Sequence, residues 1–312
     1  MSSIEYILQT KDLHKSYGKT EVLKGLNMHV PKGSIYGFIG ENGAGKTTLI
    51  RLVCGLQYQT SGELEICGVK NTDAAINKVR EKFGAIVETP ALHLNMTAMD
   101  NMKQQLHILG SKEYSKAAEL LQFVGLADTG KKLVGNFSLG MRQRLAIAIA
   151  LCGNPDFLVL DEPVNGLDPQ GIIDMRELLH RLNVEQGITI LVSSHILDEL
   201  SKVATHYGFI ANGTMVKEIS AEELNAVSRK SMTLTLNTIE HFTDVIAKFN
   251  NEYEIINETT VVIKGQVAIT PLIIALHKNG IDVLDIVRKE ESLEEYFFEL
   301  IGGDNNVSIV KS

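Results

Sequence analysis

Hydrophobic and polar residues are arranged along this 312-residue chain in two alternating patterns. Short, continuously apolar runs of strand length, such as FLVL (157–160) and ITILV (188–192), are separated by segments with helical spacing of apolar residues. This alternation is typical of a parallel sheet whose faces are covered by helices, and it predicts the α/β class. The remaining strands of this region are predicted at 22–30, 34–40, 62–69 and 82–88, and its helices at 47–56 and 176–183.

Between Thr97 and Cys152 the pattern becomes mainly helical. Thr97 is a predicted helix N-cap, because Asp100 follows it by three residues and an apolar periodic stretch comes next. Helices are predicted at 98–109, 115–126 and 141–152. We therefore expect a helical insertion at about 97–152 inside the first domain.

After residue 224 the order of elements is strand, helix, two strands, helix and strand, followed by a last helix. The βαββαβ order predicts a small α+β, ferredoxin-like module. The length predicts about two domains, at 1–224 and 225–312. The predicted strands of this module are 232–236, 253–256, 260–264 and 281–287, and its predicted helices are 239–249, 270–279 and 292–301.

Composition excludes several classes of function. The net charge of −8 argues against a general nucleic-acid-binding protein, which needs a basic surface, and no nucleic-acid partner is expected. The three cysteines, Cys54, Cys67 and Cys152, are too few for a disulfide framework or a zinc site. The N-terminus does not read as a signal peptide, and the apolar runs are too short for membrane helices. We expect a cytoplasmic protein whose membrane role, if it has one, depends on a partner.

A glycine-rich segment lies between the strand predicted at 34–40 and the helix predicted at 47–56. It matches G-x-x-x-x-G-K-[ST], in which the glycines let backbone N–H groups surround a phosphate. Lys46 is predicted to bridge the β- and γ-phosphates, and the Thr47 hydroxyl to bind Mg²⁺. The predicted ATP-binding residues of this loop are Gly40, Glu41, Asn42, Gly43, Ala44, Gly45, Lys46, Thr47 and Thr48.

Two acids follow the apolar run at 157–160. The strand is predicted to bring Asp161 beside Mg²⁺, and Glu162 is the predicted general base for an attacking water. His195 ends the run that begins at 188 and is predicted to donate a hydrogen bond to the γ-phosphate. Taken alone, two acids at a strand end are more often a solvated turn, and a lone histidine is more often structural.

Further motifs, in order along the chain, give a resemblance to ABC ATPases. Asn136 to Arg144 contains Ser138-Leu139-Gly140-Met141, which resembles the LSGGQ-type signature of that family. Asn165 to Asp168 matches its D-loop, and His195 matches its switch histidine. Tyr17 lies where the family stacks an aromatic ring on adenine.

The resemblance implies a P-loop ABC ATPase core, a mostly parallel sheet with antiparallel strands and a helical insertion, that uses ATP and Mg²⁺. It also implies a homodimer in which Ser138, Leu139, Gly140 and Met141 contact the ATP bound by the other subunit. Asp168 is the implied D-loop residue. Dimer closure on ATP and opening after hydrolysis are the implied working cycle.

The chain departs from the family pattern at two places. Leu139 and Met141 replace a glycine and a glutamine in the signature, and Glu88 stands where most members have the Q-loop glutamine. The Glu88 carboxylate is expected to approach Mg²⁺ or the water, but it cannot donate a hydrogen bond as an amide does. These departures, with a Leu-Glu-Glu-x-Phe-type helix from Leu293 to Phe297, resemble the bacitracin- and lantibiotic-resistance branch of ABC exporters.

Residues 88–101 are expected to meet a membrane-embedded permease, although their apolar side chains equally fit an ordinary helical-domain core. The favoured function is the ATPase subunit of an exporter for peptide antibiotics, located at the inner face of the membrane. Two alternatives remain open from sequence: the ATPase of an importer, and a non-transport ABC ATPase that acts on DNA or the ribosome.

Overall fold

The computed structural model describes residues 5–195, 200–227, 230–265 and 267–290. The chain folds as two compact units, Met1–Glu222 and Glu223–Ser312, divided two residues before the boundary expected from sequence. In the described ranges, no helix is both long and apolar enough to cross a membrane.

The first unit contains two sheets and the helices that surround them. Its strands are β1 (Tyr6–Tyr17), β2 (Thr20–Pro31), β3 (Ile35–Ile39), β4 (Ser61–Ile66), β5 (Val69–Lys70), β6 (Phe83–Ile86), β7 (Phe157–Asp161), β8 (Thr189–Ser194), β9 (His206–Ala211) and β10 (Thr214–Ser220). Its helices are α1 (Lys46–Val53), α2 (Ile76–Arg80), α3 (Ala98–Ile108), α4 (Ser115–Phe123), α5 (Leu139–Ala150) and α6 (Pro169–Gln186), and α7 (Ala221–Val227) follows β10.

The central sheet has the order β10-β9-β3-β8-β7-β6. All its neighbouring strands run parallel except β9 and β10. Every residue of β3, β7 and β8 is buried, as expected for strands covered on both faces. The carboxyl ends of these three strands therefore lie side by side at one edge of the sheet, which is where ligands bind in open α/β folds.

A second, antiparallel sheet has the order β2-β1-β4-β5. One link between the two sheets centres on Glu218 of β10, which accepts hydrogen bonds from the Tyr36 hydroxyl of β3 at 2.5 Å and from the His29 backbone N–H of β2 at 2.8 Å. Burial, together with the Glu218 carboxylate, raises the pKa of Tyr36 well above its usual value. The phenol thus keeps its proton and remains a donor to Glu218.

The predicted helical insertion is present between β6 and β7. The Asp100 N–H donates to the Thr97 hydroxyl at 3.1 Å, which confirms Thr97 as the N-cap of α3. The predicted helix at 176–183 is longer than expected, because it begins at Pro169 directly after the N-cap residue Asp168.

The second unit has the predicted split-βαβ order. Its strands are β11 (Lys230–Leu236), β12 (Tyr253–Ile255), β13 (Thr260–Lys264) and β14 (Val283–Glu290), and its helices are α8 (Phe242–Ile246) and α9 (Ile269–Lys278). The antiparallel sheet has the order β12-β13-β11-β14. The helix predicted at 239–249 is wrong in extent, since His241 has a φ of 62° and a 3₁₀ turn, Ala247–Phe249, follows α8. The helix predicted at 292–301 lies outside the described residues.

Three strands of the first unit, β1, β9 and β10, were not anticipated from the hydrophobic pattern. In β1 the register shifts several times, and Asp12 has a φ of 46°, so apolar and polar residues do not alternate regularly. A bulged strand lacks the period of two on which strand prediction depends.

Phe242 tests the packing of the second unit, because its side chain is completely buried. Its ring lies edge-on to the Tyr253 ring, with 5.6 Å between the ring centroids. Phe242→Ala should lower the free energy of unfolding of this unit by about 3–5 kcal/mol, since it leaves a cavity in the core. Denaturant unfolding of the full chain measures the change. The control Ile274→Ala removes a half-exposed side chain of α9 and should cost much less; equal losses would contradict the placement of the core.

Candidate nucleotide-binding site

The loop between β3 and α1 has the geometry of a phosphate cradle. Gly43 and Gly45 have φ values of 85° and 111°, a region of backbone conformation that residues with a Cβ rarely adopt. A Cβ on Gly45 would also lie 2.8 Å from Leu23 Cδ2. The loop leads directly into the N-terminus of α1, whose free N–H groups attract anions.

Lys46, the first residue of α1, lies folded back over this loop. Its side chain is only 5% exposed, and its Nζ donates to the carbonyl oxygens of Gly40 at 2.6 Å and Glu41 at 3.1 Å. The same Nζ lies 3.3 Å from Glu162 Oε1. A buried ammonium group is thus held at the mouth of the cradle.

Asp161 and Ser193 are paired across the parallel strands β7 and β8. The Ser193 hydroxyl donates to Asp161 Oδ1 at 2.6 Å and accepts from the Glu162 N–H at 2.9 Å. Ser193 was not anticipated from the sequence. It lies at the end of a buried apolar strand, and a buried hydroxyl needs a hydrogen-bond partner, which is the feature that would have identified it.

Glu162 contacts two other residues that were predicted to take part in the chemistry. Its backbone has a φ of 50°, an uncommon value for a residue other than glycine. One carboxylate oxygen lies beside Lys46, and the other, Oε2, lies 2.6 Å from His195 Nδ1. The structure therefore brings Lys46, Asp161, Glu162 and His195 into one cluster.

The residues present fit a magnesium ion. The Thr47 hydroxyl on the first turn of α1 and the Asp161 carboxylate at the end of β7 are hard oxygen donors of the kind that Mg²⁺ prefers. Asp161 is only 4% exposed.

In the described part of the chain, Glu88 and Tyr17 contact residues outside this cluster. The Glu88 carboxylate forms an ion pair with Arg51 of α1, and its backbone has a φ of 60°. The Tyr17 hydroxyl donates to the Gln57 side chain, while Lys15 Nζ lies 5.0 Å from the Tyr17 ring centroid. The ring is partly exposed. Arg51 and Gln57, like Ser193, were not anticipated from sequence.

The signature and the D-loop residue both lie at helix N-termini. Ser138 caps α5 and accepts from the Met141 N–H at 3.3 Å, while Asp168 caps α6 and accepts from the Gly171 N–H at 2.9 Å. Across the described ranges, no hydrogen bond or ion pair joins Ser138 or Asp168 to Lys46 or Glu162. Leu139 and Gly140 form the first turn of α5.

An apolar groove of about 490 Å³ adjoins the segment after β6. Its lining comes from the end of α1, from β6, from the Thr89–Leu92 segment and from α3 and α5. Burial raises the pKa of the Cys54 thiol in this lining to about 12, so the thiol stays neutral. The rim includes the exposed side chains of Leu56 and Leu109.

Comparisons with known proteins agree with this geometry. Residues 23–165 match the ABC transporter family. The chain is 42% identical over 305 residues to the bacitracin transport ATP-binding protein BcrA of Bacillus licheniformis, covering 95% of this chain and 98% of BcrA. It is 44% identical over 212 residues to the lantibiotic transport ATP-binding protein SrtF of Streptococcus pyogenes, covering 68% of this chain and 90% of SrtF.

A solved structure is similar as well. The dimeric, post-hydrolysis ATP-binding cassette MJ0796, bound to ADP and Pi, superposes with a TM-score of 0.61 at 26% identity, covering 69% of this chain and 98% of that one. With BcrA matched over nearly its whole length, these similarities show that the chain belongs to the ATP-binding proteins of ABC transporters, a family of ATPases.

Proposed function

We propose that this chain is the ATP-hydrolysing subunit of an ABC exporter that moves peptide antibiotics of the bacitracin or lantibiotic type through a separate permease. The observation that carries the proposal is that the Glu162 carboxylate contacts both Lys46 and His195, while Ser193 links Glu162 to Asp161. Similarity to BcrA over nearly the full length of both chains supports the substrate class. The transport names of the relatives favour a transporter over an ATPase that acts on DNA or the ribosome.

The phosphate loop holds the nucleotide. Its N–H groups and the N-terminus of α1 face the phosphates, and Lys46 exchanges its contact with Glu162 for the β- and γ-phosphate oxygens. The partly exposed Tyr17 ring stacks on the adenine, oriented by Gln57 and Lys15.

Glu162 acts as the general base. Its carboxylate lies at the end of β7, and the Ser193 hydroxyl holds the Glu162 N–H and the Asp161 carboxylate together. His195, now 2.6 Å from Glu162, orients that carboxylate and donates to the γ-phosphate. Thr47 and Asp161 would hold Mg²⁺, with Glu88 as a further oxygen donor. When bound, Mg²⁺ neutralises charge that develops on the phosphate oxygens.

The active form is a homodimer of the first unit. The N-terminus of α5 is a site for an anion, and it is formed by Ser138, Leu139, Gly140 and Met141. Among the described residues, the hydrogen-bond and ion-pair partners of Lys46 do not include these four. We infer that this surface, with Asp168, closes on the γ-phosphate of ATP held by the other subunit. The dimeric state of the similar cassette MJ0796 supports this arrangement.

The apolar groove after β6 is the proposed docking site of the permease. Leu56 and Leu109, which are 63% and 49% exposed, lie on its rim, and the Thr89–Leu92 segment forms part of its wall. Large apolar side chains exposed around a groove indicate a partner that covers them. This docking places the chain at the cytoplasmic face of the membrane.

Glu162→Gln should retain ATP binding and lower hydrolysis by about a hundredfold or more, because the base is lost while the phosphate ligands remain. We expect the variant to accumulate as an ATP-bound dimer. Phosphate release and size-exclusion chromatography with ATP measure the two effects. Glu177→Gln, a change of an exposed glutamate on α6, is the control and should behave as wild type. Hydrolysis by Glu162→Gln at the wild-type rate would refute the assignment of the base.

Lys46→Ala should weaken ATP affinity by about tenfold or more, because the buried ammonium group is a charged donor to the phosphates. Equilibrium binding of a fluorescent ATP analogue measures the loss. Lys46→Arg is the companion variant, since it keeps the charge but not the compact shape that fits the loop. Unchanged affinity in Lys46→Ala would contradict the role of the loop.

Leu109→Glu should abolish recovery of the permease when Glu162→Gln protein is purified with ATP from detergent-solubilised native membranes. A carboxylate on the rim of an apolar interface opposes its burial. Mass spectrometry of the purified complex is the readout, and one polytopic membrane protein in stoichiometric amount is expected without the substitution. The control Val184→Glu alters an exposed valine of α6 and should leave recovery unchanged. Recovery of ribosomal or DNA-bound material in place of a membrane protein would reject the transporter function.

A further inference from the structure

Arg51 and Glu88 form an ion pair between α1 and the segment after β6. The Arg51 Nη2 donates to Glu88 Oε1, and the two side chains are 33% and 56% exposed. Glu88 adopts a φ of 60°, which residues other than glycine rarely adopt without a compensating contact. The pair therefore gives the Glu88 side chain a defined position.

Arg51 lies on the same helix as Thr47, the residue of α1 that is expected to bind magnesium. Arg51 follows Thr47 by four residues on α1, so the two side chains lie on the same face of the helix, about one turn or 5.4 Å apart along its axis. Thr47 supplies the hydroxyl proposed to bind Mg²⁺. The partner of Glu88 thus lies one helical turn along α1 from the residue whose hydroxyl is expected to bind the metal.

We propose that Arg51 is a positioning residue that competes with magnesium for the Glu88 carboxylate. Arg51 and the metal are alternative partners of this carboxylate, so binding of ATP with Mg²⁺ would draw Glu88 away from Arg51. This inference rests on the proposed ATPase function and on Glu88 as a magnesium ligand.

The strength of the pair suits an exchange. Ion pairs exposed to this degree are weak, and a divalent cation is a stronger partner for a carboxylate than a single guanidinium. A glutamine at position 88 has no charge with which to pair with Arg51. Its amide oxygen could accept a hydrogen bond from Arg51, so what the glutamate adds to this contact is charge.

The exchange also connects the nucleotide site to the apolar groove. Val87 and Thr89, the two neighbours of Glu88, both line the groove, as does Cys54 at the end of α1. A change of partner by Glu88 would therefore take place between two residues that line one wall of the groove.

The test is a magnesium titration of ATP binding in the Glu162→Gln background, where nucleotide is bound but not turned over. A fluorescent ATP analogue reports binding as MgCl₂ is added. Arg51→Met removes the charge and keeps a long helix-forming side chain, and it should lower the half-saturating Mg²⁺ concentration by about threefold. Arg51→Lys keeps a charge and should restore the parent value. High salt should reduce the difference between the parent and Arg51→Met, because it screens an exposed pair.

Two controls separate this effect from general changes. Arg181→Met removes an exposed arginine from the Glu185 ion pair on α6 and should leave the titration unchanged. In a Glu88→Ala background Arg51→Met should have no further effect, because the competed carboxylate is gone. An effect that persists in Glu88→Ala, or a titration insensitive to Arg51, overturns this inference alone. Failure of the parent to bind ATP with Mg²⁺ overturns the proposed function and this inference together.

Discussion

The hydrogen bond from the Ser193 hydroxyl to the Asp161 carboxylate holds the ends of two fully buried parallel strands together. The arrangement of the site depends on it. The same hydroxyl accepts the Glu162 N–H, so a single side chain fixes both acids. Ser193 and Asp161 are both buried, and without this hydrogen bond the Asp161 carboxylate would carry a large desolvation cost. The Ser193 hydroxyl thus fixes the positions of the two acids relative to each other.

A second constraint follows from the burial of Lys46. An ammonium group that is 5% exposed requires compensation, which two loop carbonyls and Glu162 provide. These are contacts that phosphate oxygens can replace without exposing the charge. The cradle thus holds a positive charge suited to a polyanion, and Glu162 is held beside the position that the γ-phosphate takes under the proposed function.

Much of the central architecture followed from pattern. The buried runs that became β3, β7 and β8 are continuously apolar, and Thr97 and Asp100 mark the start of α3 clearly. The elements that escaped prediction are those in which local pattern is broken by long-range pairing. In β1, register shifts against β2 and β4 disturb the alternation, and α8 ends early in a 3₁₀ turn. The register shifts of β1 depend on its pairing with β2 and β4, which local periodicity does not contain.

The sequence by itself determined which groups are proposed to carry the chemistry. A site for phosphate and a metal is indicated by the glycine pattern, by Lys46 and by the acids after a buried strand. These residue types at these spacings are the ones that such a site uses. The tertiary structure decided the partners of those groups. That Ser193 bridges Asp161 and Glu162, that His195 contacts Glu162, and that Glu88 pairs with Arg51 all follow from the lateral order of strands and the packing of α1. These residues are 31 to 37 positions apart in the chain, and only folding brings them within hydrogen-bond distance.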